Sequence, residues 1–589
     1  MSKIKQHTSA GFDWATLKRI FAFSKPYSKL FYTAILITIL LSGLAIGRPL
    51  LIKKILDDYI AQKNIDMLTL FSGILLCMLT MEAFSQFANT MLTSTLGQNI
   101  IKDIRAKLFK HILSFKNSYF DTTPIGTLVT RAVSDVEALA DVFSQGFIVI
   151  MSDMLSLIVF LVAMFYVNWQ LTFVVLLTIP LLFVATKFFQ KGVKASFNQV
   201  RNVVAALNTF VQEHIQGIQV VQLYNRENEE YEKFVDINQK HKEANIKSIW
   251  YYSIFFPVLE VLSSLSIALV ILYSGIKPNF IHVTAGDITF FIMLTSMMFR
   301  PIRMLADRIN TLQMGMIAAE RVFKLIDSEE EIKNTGELKQ HLRGKVEFKN
   351  VWLAYTKENY ILKDISFCIE PGECVAVVGA TGSGKTTIIN LLGRFYDVSK
   401  GEILFDNIPQ QKFELGFLRE QIGVVLQDVF LFSDSIRNNI SLYNNAITDK
   451  EIEEAAKFIG AHDFIMQLPG GYDFNVRERG NMLSTGQRQM IAFLRAYVHK
   501  PAILVLDEAT SSIDTDTEQL IRSATEKITQ NRTSFIIAHR LATIQKASCI
   551  LVIEGGKIVE RGTLKSLLSK AGHFKTLYEQ QFLVDEHSS

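Results

Sequence analysis

Apolar residues gather in six long runs over the first half of this 589-residue chain and break into shorter stretches over the second half. A helix needs about 20 predominantly apolar residues to cross a bilayer. Runs of that kind lie at roughly 29–51, 66–90, 143–167, 171–190, 250–275 and 287–310, and each predicts a membrane-spanning helix. "VNWQ" at 167–170 separates the third run from the fourth and fits a tight hairpin. A cleaved signal peptide does not fit the first run, which starts late and is followed by five more. "FDWATLKRIFAF" at 12–23 interleaves aromatic and basic residues and reads as an interfacial helix.

The polar positions between the runs set the orientation, because basic residues stay on the cytoplasmic side. Lys3, Lys5, Lys18, Arg19, Lys25 and Lys29 precede the first run. Lys102, Arg105, Lys107, Lys110, Lys116 and Arg131 lie in the 97–140 connection, and the 187–249 connection is similarly basic. "VNWQ" has no basic residue and 276–286 has only Lys277. Lys53, Lys54 and Lys63 are the exception, offset by Asp57, Asp58 and Asp66. Both termini are therefore expected in the cytoplasm. The two long basic connections are apolar and periodic, so they read as continuations of the membrane helices.

Near 326–345 the pattern turns polar ("IDSEEEIKNTGELKQHLRGK") and predicts a linker. Beyond it, short apolar strands alternate with helices. "CVAVVGATGSGKTTIINLL" supplies a strand, a glycine-rich turn and a helix start, with Gly379, Gly384, Lys385 and Thr386 matching G-x-x-x-x-G-K-[ST]. Backbone N–H groups from Gly379 through Ala380, Thr381, Gly382, Ser383 and Gly384 to Thr387 can close around phosphates, and Lys385 can reach the terminal ones. The Thr386 hydroxyl can bind Mg²⁺. "AILVLDEAT" ends a buried strand in two acids: Asp507 suits Mg²⁺ through water, and Glu508 suits polarisation of an attacking water. "FIIAHR" delivers His539 to the same edge, where a γ-phosphate contact is expected.

Composition agrees with a membrane part joined to a soluble part: 49% hydrophobic, mean hydropathy +0.23, yet 20% charged. A net charge of +4 gives no footing for nucleic acid. Cys77, Cys368, Cys374 and Cys549 have no CxxC spacing and read as buried thiols, forming neither a disulfide framework nor a metal site.

Together these motifs resemble the ATP-binding cassette (ABC) exporters, in the half-transporter form that joins six spans to one cassette. The resemblance implies an all-α transmembrane domain at 1–325, a linker at 326–344 and an α/β phosphate-loop NTPase domain at 345–589. It implies that Tyr355 stacks on adenine, that Gln427 joins the catalytic groups and the Mg²⁺ ligands, and that Ser511–Asp514 form the D-loop, with Asp514 beside the nucleotide. "SYFDTTPIGTLVTRAVSDV" at 118–136 is similar to the first intracellular loop, with Phe120, Asp121, Gly126 and Asp135 in place.

"LSTGQ" at 483–487 matches the family's signature loop, which places Ser484, Gly486 and Gln487 on the nucleotide of a partner cassette. One copy of each loop and six spans then imply a second chain. A homodimer is favoured because Glu508, His539 and Gln427 are all present, and a heterodimer is the alternative. Thr485 departs from the family's glycine, and Thr disfavours a positive φ.

Substrate is less legible. Glu82, Asp153, Glu260, Arg300 and Arg303 interrupt the spans. They either line an inward cavity for an amphipathic small molecule, lipid or peptide, or pair among themselves, as Glu260 with Arg300. The expected function is ATP-driven export or flipping of such a substrate, with ATP and Mg²⁺ as cofactors and the bilayer as surroundings. A nucleotide-gated channel or regulator on the same scaffold is the competing reading.

Overall fold

The computed structural model describes residues 14–276, 283–332, 334, 336–356, 359–507, 515–538, 541–570 and 572–581. They fall into two compact units. One comprises residues up to Leu113 and Ile125–Ser328; the other comprises Ser114–Pro124 and residues from Glu329 onward.

The first unit is helical. Helix α1 (Trp14–Ala22) buries Leu17 and Ile20 and pairs Arg19 with Asp327. Among the described residues, six segments are long and apolar enough to cross a membrane. The first is α2 (Ser28–Lys54), which runs on through a π-turn at Ile55–Ile60, and the second is α3 (Ile65–Leu113). The third, α4 (Ile148–Val167), is separated from α5 (Trp169–Leu176) by Asn168 alone. Asn168 is extended, and its side chain accepts from the N–H groups of Gln170 and Leu171 at 3.0 and 3.1 Å, so this one residue both ends one helix and caps the next. The fourth span continues through α6 (Ile179–Gln216); α7 (Glu227–Ile276) and α8 (Ala285–Ile326) complete the set.

Length explains the basic connections. Helix α3 has 49 residues; at ~1.5 Å each it extends ~74 Å, against a hydrocarbon core of ~30 Å. The apolar run is therefore only part of the helix, and the basic residues ride on its continuation. Membrane-level apolar side chains stay exposed along α3, including Leu76, Phe84 and Phe87, as lipid-facing positions require.

The thiols differ from expectation. Cys77 is exposed and Cys368, Cys374 and Cys549 are half-buried, so none is a fully buried core thiol, although all four are free.

The second unit holds two sheets. An antiparallel sheet has the order β2-β1-β4-β5, built from β1 (Val346–Ala354), β2 (Tyr360–Ile369), β4 (Lys400–Phe405) and β5 (Ile408–Pro409). A six-stranded sheet has the order β10-β9-β3-β8-β7-β6. In it β3 (Cys374–Val378), β6 (Ile422–Val425), β7 (Ile503–Asp507), β8 (Thr533–Ile537) and β9 (Cys549–Glu554) run parallel, and β10 (Lys557–Gly562) is antiparallel at the edge. Every residue of β7 and β8 is buried, which is why those strands read as unbroken apolar runs. This order places the carboxyl ends of β3, β7 and β6 along one edge, where α/β sheets bind ligands.

Residues 114–124 belong with this unit. Lys116 binds Glu330 through backbone and side chain (2.8 and 2.7 Å), Ser114 donates to Glu331 at 2.7 Å, and the Tyr396 hydroxyl donates to Asp121.

Candidate functional site

Strand β3 stops at Val378, and α9 (Lys385–Leu392) starts at Lys385. Between them the loop turns through Gly382 (φ +81°) and Gly384 (φ +107°), conformations that L side chains rarely adopt. A Cβ at 384 would also lie 2.7 Å from Leu362 Cδ2. Because Gly384 is the N-cap, no side chain caps α9, and its first N–H groups are left for an anion. The Ser383 hydroxyl is buried without a partner. Lys385 Nζ donates to the carbonyls of Gly379 (2.8 Å) and Ala380 (3.0 Å), holding its ammonium over the loop. Ala380, Thr381, Gly382 and Thr386 are exposed, whereas Thr387 is buried. An uncapped helix start, an orphaned hydroxyl and a fixed ammonium fit a chain of phosphates.

Asp507 ends β7, one strand beyond β8 from β3. Burial lowers the pKa of Lys385, opposed by the charge of Asp507. Burial raises that of Asp507; Lys385 pulls it back and Asp428 pushes it further up. Each charge is thus costly alone, and a phosphate–metal pair would relieve both. Gln427 lies exposed just past β6, whose Val425 pairs in register with Leu506. Asp428 was missed in the sequence, although an acid directly after Gln427 at a strand end was its visible signal. Glu508, the Ser511–Asp514 segment and His539 lie outside the described residues.

Tyr355 follows β1 and is clamped on the flank of α9. Its hydroxyl donates to Thr387 Oγ1 at 3.2 Å and accepts from Asn390 Nδ2 at 3.3 Å, and its ring stands edge-on to Tyr396 at 4.8 Å. Asn390 and Tyr396 therefore hold the aromatic ring beside the phosphate loop, and no sequence motif flagged either.

Ser484 is the N-cap of α10 (Thr485–Val498). Its hydroxyl accepts from the Gln487 N–H at 3.2 Å, while Gln487 Oε1 accepts from the Ser484 N–H at 2.9 Å, a closed capping box. Gly486 is buried in the first turn. Thr485 is helical, so the feared positive φ does not arise, and its Oγ1 accepts from Arg488 at 3.2 Å. Among the described residues no hydrogen bond or ion pair joins 484–487 to 379–387.

The charged residues of the spans divide between pairing and lining a cavity. Glu260 pairs with Arg303 at 3.4 Å and not with Arg300. Asp153 approaches Arg308 to 2.9 Å. Glu82, Asp153 and Arg300 line a cavity inside the helical unit, whereas Glu260 and Arg303 do not.

Comparison with known proteins decides the family. Residues 31–302 match the ABC transporter transmembrane region, and residues 362–511 match ABC transporter. The ABC transporter ATP-binding protein exp8 of Streptococcus pneumoniae is 35% identical over 97% of this chain and 98% of its own length. YknV of Bacillus subtilis is 34% identical over 97% and 95%. An ATP-dependent lipid A-core flippase of Syntrophus aciditrophicus is 35% identical over 97% and 95%. The chain belongs to the ABC transporter family. It is a half-transporter of the bacterial exporter type, a multi-pass membrane protein that binds and hydrolyses ATP.

Proposed function

We propose that this ABC transporter works as a homodimer in a bacterial inner membrane, cassette and termini in the cytoplasm, and moves an amphipathic substrate outward at the expense of ATP. The observation that carries it is one uncapped phosphate loop and one capped signature loop beside six candidate spans, with no hydrogen bond or ion pair joining the two loops among the described residues. A two-fold pairing gives each phosphate loop a signature loop from the other copy. Relatives named as lipid A-core flippases favour a lipid-like substrate class.

ATP bound at this loop supplies the free energy of its terminal phosphate bond. Lys385 and the α9 N–H groups would hold the phosphates, with Thr386, Asp507 and Gln427 for Mg²⁺ and Tyr355 for the adenine. Glu508 would orient the water and His539 the terminal phosphate, while Ser484, Gly486, Gln487 and Asp514 would act across the interface. Residues 114–124, fastened by Lys116 and Asp121, would let the membrane helices follow the cassette.

The test is reconstitution in proteoliposomes. ATP-dependent movement of labelled lipids or amphiphiles, with substrate-stimulated hydrolysis, is expected. An ATP-gated conductance without net pumping would instead establish the channel reading.

A further inference from the structure

Within the helical unit, α2, α3, α4, α8 and residues 140–141 line a partly open cavity of about 780 Å³. Arg48, Arg300 and Arg308 line it, and so do Glu82, Asp141 and Asp153. Opposite charges are thus balanced in one chamber, and of these six only Asp153 and Arg308 neutralise one another by contact, at 2.9 Å, among the described residues. Arg48 has Nε buried without a partner, and among the described residues its one polar contact is Nη2 on the Met297 sulfur at 3.7 Å. The Glu82 Oε2 atom is buried without a partner as well. Asp153 and Arg308 are near each other, yet Oδ2 and Nε are not aligned as a hydrogen bond. Arg300 has no ion-pair partner among the described residues.

An unpaired charged group at membrane depth is costly, so what enters this chamber is selected by how many of these groups it satisfies. A ligand carrying only negative charge satisfies Arg48 and Arg300 but faces Glu82 and Asp141. A ligand carrying only positive charge reverses the conflict. An uncharged amphiphile can hydrogen-bond to these groups but compensates none of their charge. Leu41, Phe160 and Met297 supply apolar wall beside the charges.

We infer that the cavity binds a zwitterionic amphiphile, its anionic oxygens on Arg48 and Arg300 and its ammonium on Glu82. Guanidinium groups suit phosphate or carboxylate oxygens through paired N–H donors, and the carboxylate of Glu82 takes the ammonium. This rests on the exporter reading above and narrows its substrate class. Two sources share the chemistry: a phosphoethanolamine lipid, and a free peptide whose ends carry amine and carboxylate.

The experiment uses the full-length protein in detergent without nucleotide. Three fluorescent lipids with identical acyl chains and phosphoethanolamine, phosphoglycerol or trimethylammonium headgroups are titrated by anisotropy. Phosphoethanolamine should bind about tenfold tighter than either singly charged headgroup. Glu82→Gln should abolish the preference over phosphoglycerol and keep that over trimethylammonium, and Arg48→Gln should do the converse. Gel filtration and thermal unfolding verify the variants, and the wild-type ranking needs none of them. Displacement of the lipid by leucyl-leucine supports the site with a peptide-like source; tight headgroup-selective binding without displacement supports it with a lipid source. Equal binding of all three headgroups overturns the assignment, as does a direct Glu82–Arg48 pair, revealed by variants that keep the wild-type ranking. ATP-driven movement of all three lipids at equal rates would overturn this site and leave export standing. Headgroup-selective binding with no ATP-driven movement would do the reverse.

Discussion

Two glycine-containing loops each lead into a helix of the cassette, and they finish that helix in opposite ways. At α9 the N-cap is Gly384, left-handed and without a side-chain acceptor. At α10 the N-cap is Ser484, locked with Gln487 in a reciprocal box. Both starts carry the same partial positive charge. The first leaves its N–H groups to a ligand and holds a buried lysine beside them. The second satisfies the N–H groups of Ser484 and Gln487 with its own side chains and leaves the Ser484 hydroxyl proton free to donate. On the proposed reading, the helix start without a side-chain cap would be the main phosphate cradle and the capped one an auxiliary contact.

Changes can break this contrast, and the largest effect belongs to chemistry at the cradle. Glu508→Gln should lower steady-state hydrolysis by about 10²–10⁴-fold with ATP binding retained, measured by turnover and nucleotide affinity on the same preparation. Lys385→Ala should instead weaken binding itself. Gly384→Ala imposes a side chain where φ is +107° and Leu362 blocks it. Strain of about 1–3 kcal/mol should appear as a roughly 5- to 150-fold loss of ATP affinity; unchanged affinity by equilibrium titration would remove the glycine's role.

Ser484→Ala acts on the closed loop and should cost about 1 kcal/mol of cassette stability through the lost cap, read by denaturant unfolding, besides any effect on turnover. Thr485→Gly should be smallest. The position is already helical, so glycine there brings no conformational gain and lowers stability by less than about 1 kcal/mol. A marked rise in hydrolysis with Thr485→Gly would show that the threonine, not the cap, limits the signature loop.

Ser484 and Gln487 stand at the S-x-x-Q spacing of a capping box, a signal that the signature-loop reading passed over, whereas the spans were legible because lipid demands long apolar runs. What stayed hidden depends on helix rotation and on contacts distant in sequence. Glu260 reaches Arg303 and not Arg300, a shift of one helical turn that only the mutual rotation of α7 and α8 fixes. Arg48 and Glu82 meet one cavity from α2 and α3, though neither sequence run announces the other. Tyr355 depends on Asn390 and Tyr396, 35 and 41 positions away, brought together by the sheet that carries β1 past α9. Residues 114–124 read as part of the membrane half and yet are tied to Glu330, Glu331 and Tyr396. Glu508, Asp514 and His539 rest on the sequence alone.

If the open loop of one chain is completed by the closed loop of another, mixed dimers will reveal it, with ATP occlusion counted per dimer. Pairing a Lys385→Ala chain with a Ser484→Ala chain should disable one site and spare the other, because both changes meet at one interface. Placing both changes in one chain opposite a wild-type chain should disable both sites. The opposite pattern, with both sites lost in the first dimer and one kept in the second, would show that each chain closes its own nucleotide.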